Sequence, residues 1–262
     1  MTTYKVPTSR STLDAKMDAQ KIAFAPVMFQ AVRVARDTGV LEAVLEAGSA
    51  GIEIEEVAEK TGLSFYGVTV LLEGCLGIDV VQLKDERYII TKTGFFLLKD
   101  ELTRINMDFT NDVCYAGMQH LEASIRERKP AGLKVFGDWP TIYEGLSQLP
   151  EDVQKSWHAF DHYYSDTAFP DVLPIIFANK PQRLLDVGGN TGRFAVQCLE
   201  FDPDVTVTIL DHCGQLEKAK QTLEAKGLAE RVDLQPFDLL DHSKPFPTGF
   251  DAVWMSQFLC CF

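Results

Sequence analysis

The stretch Leu184-Leu185-Asp186-Val187-Gly188-Gly189-Asn190-Thr191-Gly192 decides the fold. An apolar run carrying one carboxylate meets a glycine-rich turn, and the apolar-periodic segment Phe194–Phe201 follows, so the sequence predicts a strand handing over to a helix. Glycines at that junction let the chain turn tightly and let a ligand approach the backbone at the carboxyl edge of a sheet. Working outward, Arg183–Val187, Val205–Leu210, Val232–Gln235 and Ala252–Met255 read as strands, with helices at Phe194–Phe201 and Gln215–Lys226. Strands alternating with helices make an α/β domain with a parallel sheet and right-handed crossovers.

Spacing separates two classes of ligand. A dinucleotide fingerprint, GxGxxG, fails here, because the third and sixth positions counted from Gly188 are Asn190 and Arg193. What stands is DxGGxxG. Its leading carboxylate, Asp186, suits a ligand with an ammonium and a sulfonium better than a pyrophosphate, and Gly188 and Gly189 bring backbone to that ligand. Asp211 closes the second strand, where a carboxylate accepts hydrogen bonds from both ribose hydroxyls. Asp238 and Leu239 follow the third strand, placed for an adenine amine and ring face. Three acidic strand ends in succession point to a cationic adenosine ligand.

The chain has 262 residues, enough for one large or two modest domains at ~150 residues per domain. Its hydrophobic and charged fractions, 46% and 24%, are those of a globular protein rather than a disordered or fibrous one. Twenty-five Lys and Arg against 38 Asp and Glu leave a formal charge of −13, which repels nucleic acid and anionic lipid. No stretch approaches the ~20 apolar residues of a membrane helix and the first residues lack the apolar core of a secretory signal, so a cytoplasmic setting is expected. Six scattered cysteines without CxxC spacing read as reduced core thiols, and no metal site is expected.

Upstream, Leu13–Ala47 is helical in pattern with a break at Gly39, and its apolar positions mark either an ordinary core helix or one buried between subunits. Residues 53–99 predict a winged helix: helices at Ile54–Lys60 and Phe65–Leu76, then strands Val80–Leu83 and Tyr88–Thr91 joined by the polar run Lys84-Asp85-Glu86-Arg87. The second helix contains no Lys or Arg, so it favours packing against protein over reading DNA. Residues 105–178 read as mainly helical and dense in aromatics, including Trp139, Tyr143, Trp157, Phe160, Tyr163, Tyr164 and Phe169 beside His158 and His162. Most of these serve a core, and a minority lining a pocket for a flat ligand is the alternative. Domain bounds of 1–100, 101–180 and 181–262 follow.

These segments together resemble the class I methyltransferases that use S-adenosylmethionine, and more narrowly the O-methyltransferase family of plant caffeate and flavonoid and bacterial polyketide enzymes. The likeness covers nearly the whole chain. It implies a Rossmann-like methyltransferase sheet behind a winged-helix domain that forms a homodimer, and contacts from Gly188, Asp211, Asp238 and Leu239 to the cofactor. The family's usual LVDVGGGxG has Asn190 here in place of a glycine, and Phe237 replaces another. A small aromatic or polyketide-like acceptor methylated on oxygen is the implied substrate, with no nucleic acid and no membrane as partner.

In that family the fourth strand runs DAVFMKxxxHDW, with His as general base. Asp251–Phe262 places Ser256 at the lysine and Cys260 at the histidine, so the customary base is absent. A thiol near its ordinary pKa of ~8.5 is mostly protonated at neutral pH, which leaves Cys260, or His162 or His120 from the helical segment, as candidates, or a nucleophile needing no base. Loss of transfer, leaving a cofactor-binding or dimeric regulatory protein, is the competing reading, and a DNA-binding regulator a third. The superfamily's seven-stranded sheet would need three further strands after Ala252–Met255, so the sheet is expected to be truncated at this point.

Overall fold

The computed structural model describes residues 11–259. They divide into two compact units, the division falling between Met107 and Asp108.

The first unit begins with α1 (Thr12–Asp37), started by Ser11, whose hydroxyl accepts from the Asp14 amide at 3.1 Å. Gly39 at φ +80° breaks it from α2 (Val40–Glu46), the break expected from the sequence. Next come α3 (Ile54–Thr61) and α4 (Phe65–Leu76), the latter capped by the Ser64 hydroxyl. The hairpin of β1 (Val81–Lys84) and β2 (Arg87–Ile90) is antiparallel, and a single bridge from Ile52 to Tyr88 extends it. This is the helix, helix, hairpin order of a winged helix. Arg87 ties the wing to α3 through Glu53 at 2.6 Å and Glu56 at 2.8 Å. The sequence reading ran the second strand through Thr91, but that residue caps a helix it missed, α5 (Lys92–Lys99), by accepting from the Gly94 amide at 3.2 Å. α6 (Glu101–Phe109) follows.

Packing explains the apolar count. Val32, Ala35, Val40, Leu41, Val44, Val68 and Leu72 are buried in one core. Yet Leu13, Met17, Ile22, Phe24 and Val27 on α1, and Phe65, Tyr66 and Val70 on α4, remain exposed. One face of each helix therefore serves its own unit and another does not.

The second unit opens with short turns: a π turn at Thr110–Tyr115, α7 (Leu121–Glu127) and α8 (Ile142–Gly145). Two longer helices follow, α9 (Glu151–Asp166) and α10 (Phe169–Ile176). Then β3 (Arg183–Val187), α11 (Arg193–Phe201), β4 (Thr206–Asp211), α12 (Cys213–Lys226), β5 (Val232–Pro236) and β6 (Ala252–Trp254) build a parallel sheet in the order β5-β4-β3-β6. Leu184, Leu185, Val187, Ile209 and Leu210 are fully buried in it, as strands covered on both faces require. Among the described residues no helix is long and apolar enough to cross a membrane.

The wing turn generates a prediction. Asp85 and Glu86 sit at φ +50° and +61° between the paired Lys84 and Arg87, the two-residue geometry that favours Asn-Gly. Replacing them together by Asp85→Asn and Glu86→Gly relieves side chains from the left-handed region and should raise unfolding free energy by about 1 kcal/mol in urea titration. In the same measurement Leu72→Ala, which empties a fully buried site, should lower it by ~2–5 kcal/mol.

Candidate functional site

The parallel sheet brings its strand ends to one edge, and there the chain makes the turn expected from sequence. Gly188, at φ +71°, donates its amide to the Leu210 carbonyl at 2.8 Å, and a Cβ on it would meet the Phe258 ring at 2.5 Å. A Cβ on Gly189 would stand 2.7 Å from both Asp186 Oδ2 and Ile209 Cγ2. The backbone can lie this close to the sheet only without side chains.

In front of the turn lies a cavity of about 710 Å³. Its wall includes Gly188, Asn190, Asp211, His212, Gln215, Asp238 and Leu239, together with the apolar and aromatic side chains of Phe109, Leu133, Ile142, Tyr143, Trp157 and Phe160. Phe109 stacks on Phe160 with centroids 4.0 Å apart and leans on Trp157 at 5.8 Å, so this wall is a continuous ring face. Of the aromatics singled out from sequence, Tyr143, Trp157 and Phe160 line the cavity, while Phe169 packs in the sheet core.

Four carboxylates face this space: Glu144, Asp161, Asp211 and Asp238. The described lining contains no Lys or Arg. Asp211 accepts the Asn190 amide at 2.8 Å on Oδ2 and the His212 amide at 2.7 Å on Oδ1, yet burial still raises its carboxyl above the ordinary range. Asp161, on α9, is raised by burial and by Asp166 and Asp211, against a lowering hydrogen bond of 2.6 Å from the Asn190 side-chain amide. Glu144 is held by its own helix start, its Oε2 accepting from the Thr141 amide at 3.1 Å. Asp238 is exposed, and its Oδ1 accepts from the Leu240 amide at 2.9 Å.

Several residues chosen from sequence stand elsewhere. Asp186 is 2% exposed and does not reach the cavity wall, and neither does Gly189. The cause is strand alternation. Leu185 and Val187 point to the face shared with Leu210, Phe237, Leu239 and Phe258, so Asp186 between them points to the opposite face, toward α11. There Oδ2 accepts no hydrogen bond, and burial, helped by Asp211, pushes the carboxyl up to about 8. His162 is also off the wall: its Nε2 shares a hydrogen bond with Thr191 Oγ1 at 3.2 Å and its ring stacks on His158 at 5.7 Å. Burial holds both imidazoles down at about 4, so they are neutral at neutral pH and poorly matched to general-base work. His120 lies in the turn Gly117–His120, away from the wall, and Cys260 lies outside the described residues. Ser256 does line the cavity.

Sequence reasoning missed Asp161, Asn190's side chain, Gln215 and Glu144. Asp161 sits within Phe160-Asp161-His162-Tyr163, where the aromatics and histidines drew attention and the single carboxylate did not.

Comparison with known proteins places the chain. Residues 16–88 match the Dimerisation2-like domain and residues 103–261 the O-methyltransferase domain. The 3-hydroxy-5-methyl-1-naphthoate 3-O-methyltransferase of Streptomyces sahachiroi is 25% identical over 231 residues, covering 88% of this chain and 64% of that protein. Acetylserotonin O-methyltransferase of Gallus gallus is 26% identical over 205 residues, covering 75% and 58%. The chain thus spans about three fifths of the length of these curated relatives. Among solved structures, the S-adenosylmethionine-dependent methyltransferase SibL in its apo form matches with a TM-score of 0.61 at 25% identity, covering 89% of this chain and 68% of that one. PigF with SAH matches with a TM-score of 0.68 over 92% of this chain and 72% of that one, at 19% identity, a likeness of fold. With the O-methyltransferase domain matched across more than half of its length, the chain belongs to the O-methyltransferase domain family.

Proposed function

We propose that this protein is an S-adenosylmethionine-dependent methyltransferase acting on a small aromatic or polyketide-like acceptor, with transfer to oxygen. One observation carries the reading: a cavity at a glycine turn, lined by aromatic rings and four carboxylates, with no Lys or Arg in the described lining. A pyrophosphate would meet uncompensated repulsion there, whereas a ligand bearing ammonium and sulfonium charges relieves it.

The residues present fit such a cofactor. Gly188 offers backbone without a side chain, Asp211 and Asp238 have lone pairs left for hydroxyl and amine donors, and Leu239 offers an apolar face. Asp161, rather than Asp186, is the carboxylate facing a cationic amino-acid tail. Asp186 lies behind the turn, and with its carboxyl pushed up to about 8 by burial it is mostly protonated at neutral pH. S-adenosylmethionine supplies a methyl group on a positively charged sulfur. The protein's share is alignment: Phe109, Trp157 and Phe160 offer flat ring faces to an acceptor ring. The exposed apolar faces of α1 and α4, within the segment matching the dimerisation family, support a homodimer. A cytoplasmic setting and no nucleic-acid partner complete the reading.

His162's engagement with Thr191 favours a second reading, a binding protein that performs no transfer. Labelled methyl donor with a panel of naphthols and phenols separates the two, since label on any acceptor excludes mere binding. In calorimetry S-adenosylhomocysteine should bind and NADH should not. Asp211→Ala, which removes charge-assisted hydrogen bonds, should weaken binding by roughly 10- to 100-fold. Undiminished binding in that variant refutes the placement.

The buried carboxylates also set a pH dependence. Asp186 binds its proton more tightly folded than unfolded, so its contribution to stability is full below the ordinary carboxylate pKa and is lost as pH rises toward about 8. The melting temperature of the ligand-free protein should therefore fall between pH 4 and pH 8 more steeply than that of Asp186→Asn. Parallel curves would show that Asp186 is not a buried titrating group.

A further inference from the structure

The family's turn has glycine where this chain has Asn190, and the structure shows what the larger residue does. Asn190 sits at φ +50°, a left-handed conformation that asparagine tolerates better than most residues. Its backbone amide donates to Asp211 Oδ2 at 2.8 Å, its side-chain Nδ2 donates to Asp161 Oδ2 at 2.6 Å, and its Oδ1 accepts from Gln215 Nε2. One residue thereby joins the turn to α9, to the end of β4 and to α12. Without the Nδ2 donor, Asp161 would face burial beside other carboxylates alone.

We propose that Asn190 is a positioning residue for the methyl donor: its side chain holds the Asp161 carboxyl aimed across the turn at the donor's ammonium group, while its backbone holds Asp211 independently. The proposal rests on the reading of the cavity as an S-adenosylmethionine site. It divides the site into two parts with separate supports. The nucleoside part depends on Asp211 and the backbone of residue 190, which any side chain there preserves. The amino-acid part depends on the Asn190 side chain, which glycine lacks.

Asp166 and His162 lie on the helix that carries Asp161, and Arg193, paired with Asp166, at the start of α11; Asp211 and His212 at the end of β4, Asp238 after β5 and Glu144 on α8 share the cavity lining with Asp161. Asp211 and Asp166 raise the Asp161 carboxyl, and the Asn190 amide is the hydrogen bond that lowers it. Removing that amide moves its titration upward.

The test is calorimetric titration of the full chain and of Asn190→Gly with S-adenosylmethionine and with adenosine, from pH 5 to pH 7.5. Glycine accepts the positive φ and restores the residue usual in the family, so the turn itself is kept. S-adenosylmethionine affinity should fall as pH drops in both proteins, with the midpoint in Asn190→Gly higher and the affinity at pH 7 lower by about 3- to 10-fold. Adenosine, which has no amino-acid part, should bind both proteins alike. An unchanged S-adenosylmethionine profile overturns the proposal, as does an equal loss for adenosine, which would mark Asn190 as a general support of the turn. Should Asn190→Gly fail to fold, Gln215→Ala removes the brace on Asn190 Oδ1 and should shift the S-adenosylmethionine midpoint the same way by less, with adenosine titrated beside it because Gln215 also lines the cavity; no shift, or an equal change for adenosine, overturns the proposal. If the unaltered protein binds adenosine but no S-adenosylmethionine, the reading of the cavity fails, and with it the proposal.

Discussion

Asp186, Asp211 and Asp161 crowd around one glycine turn, and the rest of the second unit is arranged to make that crowding tolerable. Buried carboxylates repel one another and lose hydration, so each needs hydrogen bonds or a cation. The turn supplies part of this: amides of Asn190 and His212 serve Asp211, and the Asn190 side chain serves Asp161. Asp186 receives nothing on Oδ2. The remaining deficit is a negative potential at the head of a cavity, which a positively charged ligand relieves.

The first unit solves a different problem. Its winged-helix core is complete around Val44, Leu72 and Tyr88, yet α1 and α4 keep apolar side chains at the surface. A helix that reads DNA needs cations and amides on its outer face, and α4 offers Phe65, Tyr66 and Val70 instead. Apolar faces of this kind fit protein partners, in keeping with the dimerisation family matched by residues 16–88.

Much of this was legible in the sequence. The glycine turn, the parallel strands on each side of it, the break at Gly39 and the hairpin at Asp85-Glu86 were readable because each rests on local chemistry: backbone freedom, short-range periodicity, a polar turn. Asp186 stands where its motif places it, but strand parity, which sequence spacing alone did not weigh, turns its side chain to the face opposite Leu185 and Val187. Asp161 and Glu144 come to the cavity from helices 25 or more residues upstream of the turn, and only tertiary packing brings them there. His162 was one of several candidate bases in sequence; burial lowers its imidazole to about 4 and its Nε2 shares a hydrogen bond with Thr191, neither of which the sequence spacing discloses. Helix α5 was missed because Thr91 fits a strand end and a helix cap equally well.

The central claim is that raised carboxylates around the turn receive a cation. Proton release on ligand binding tests it most directly, measured by calorimetry in buffers of different ionisation enthalpy at pH 6, where the donor's own ammonium is already charged. The account predicts net release of protons on binding S-adenosylmethionine, and less on binding S-adenosylhomocysteine, which lacks the sulfonium charge. Binding heats identical in all buffers, or net proton uptake, would contradict it.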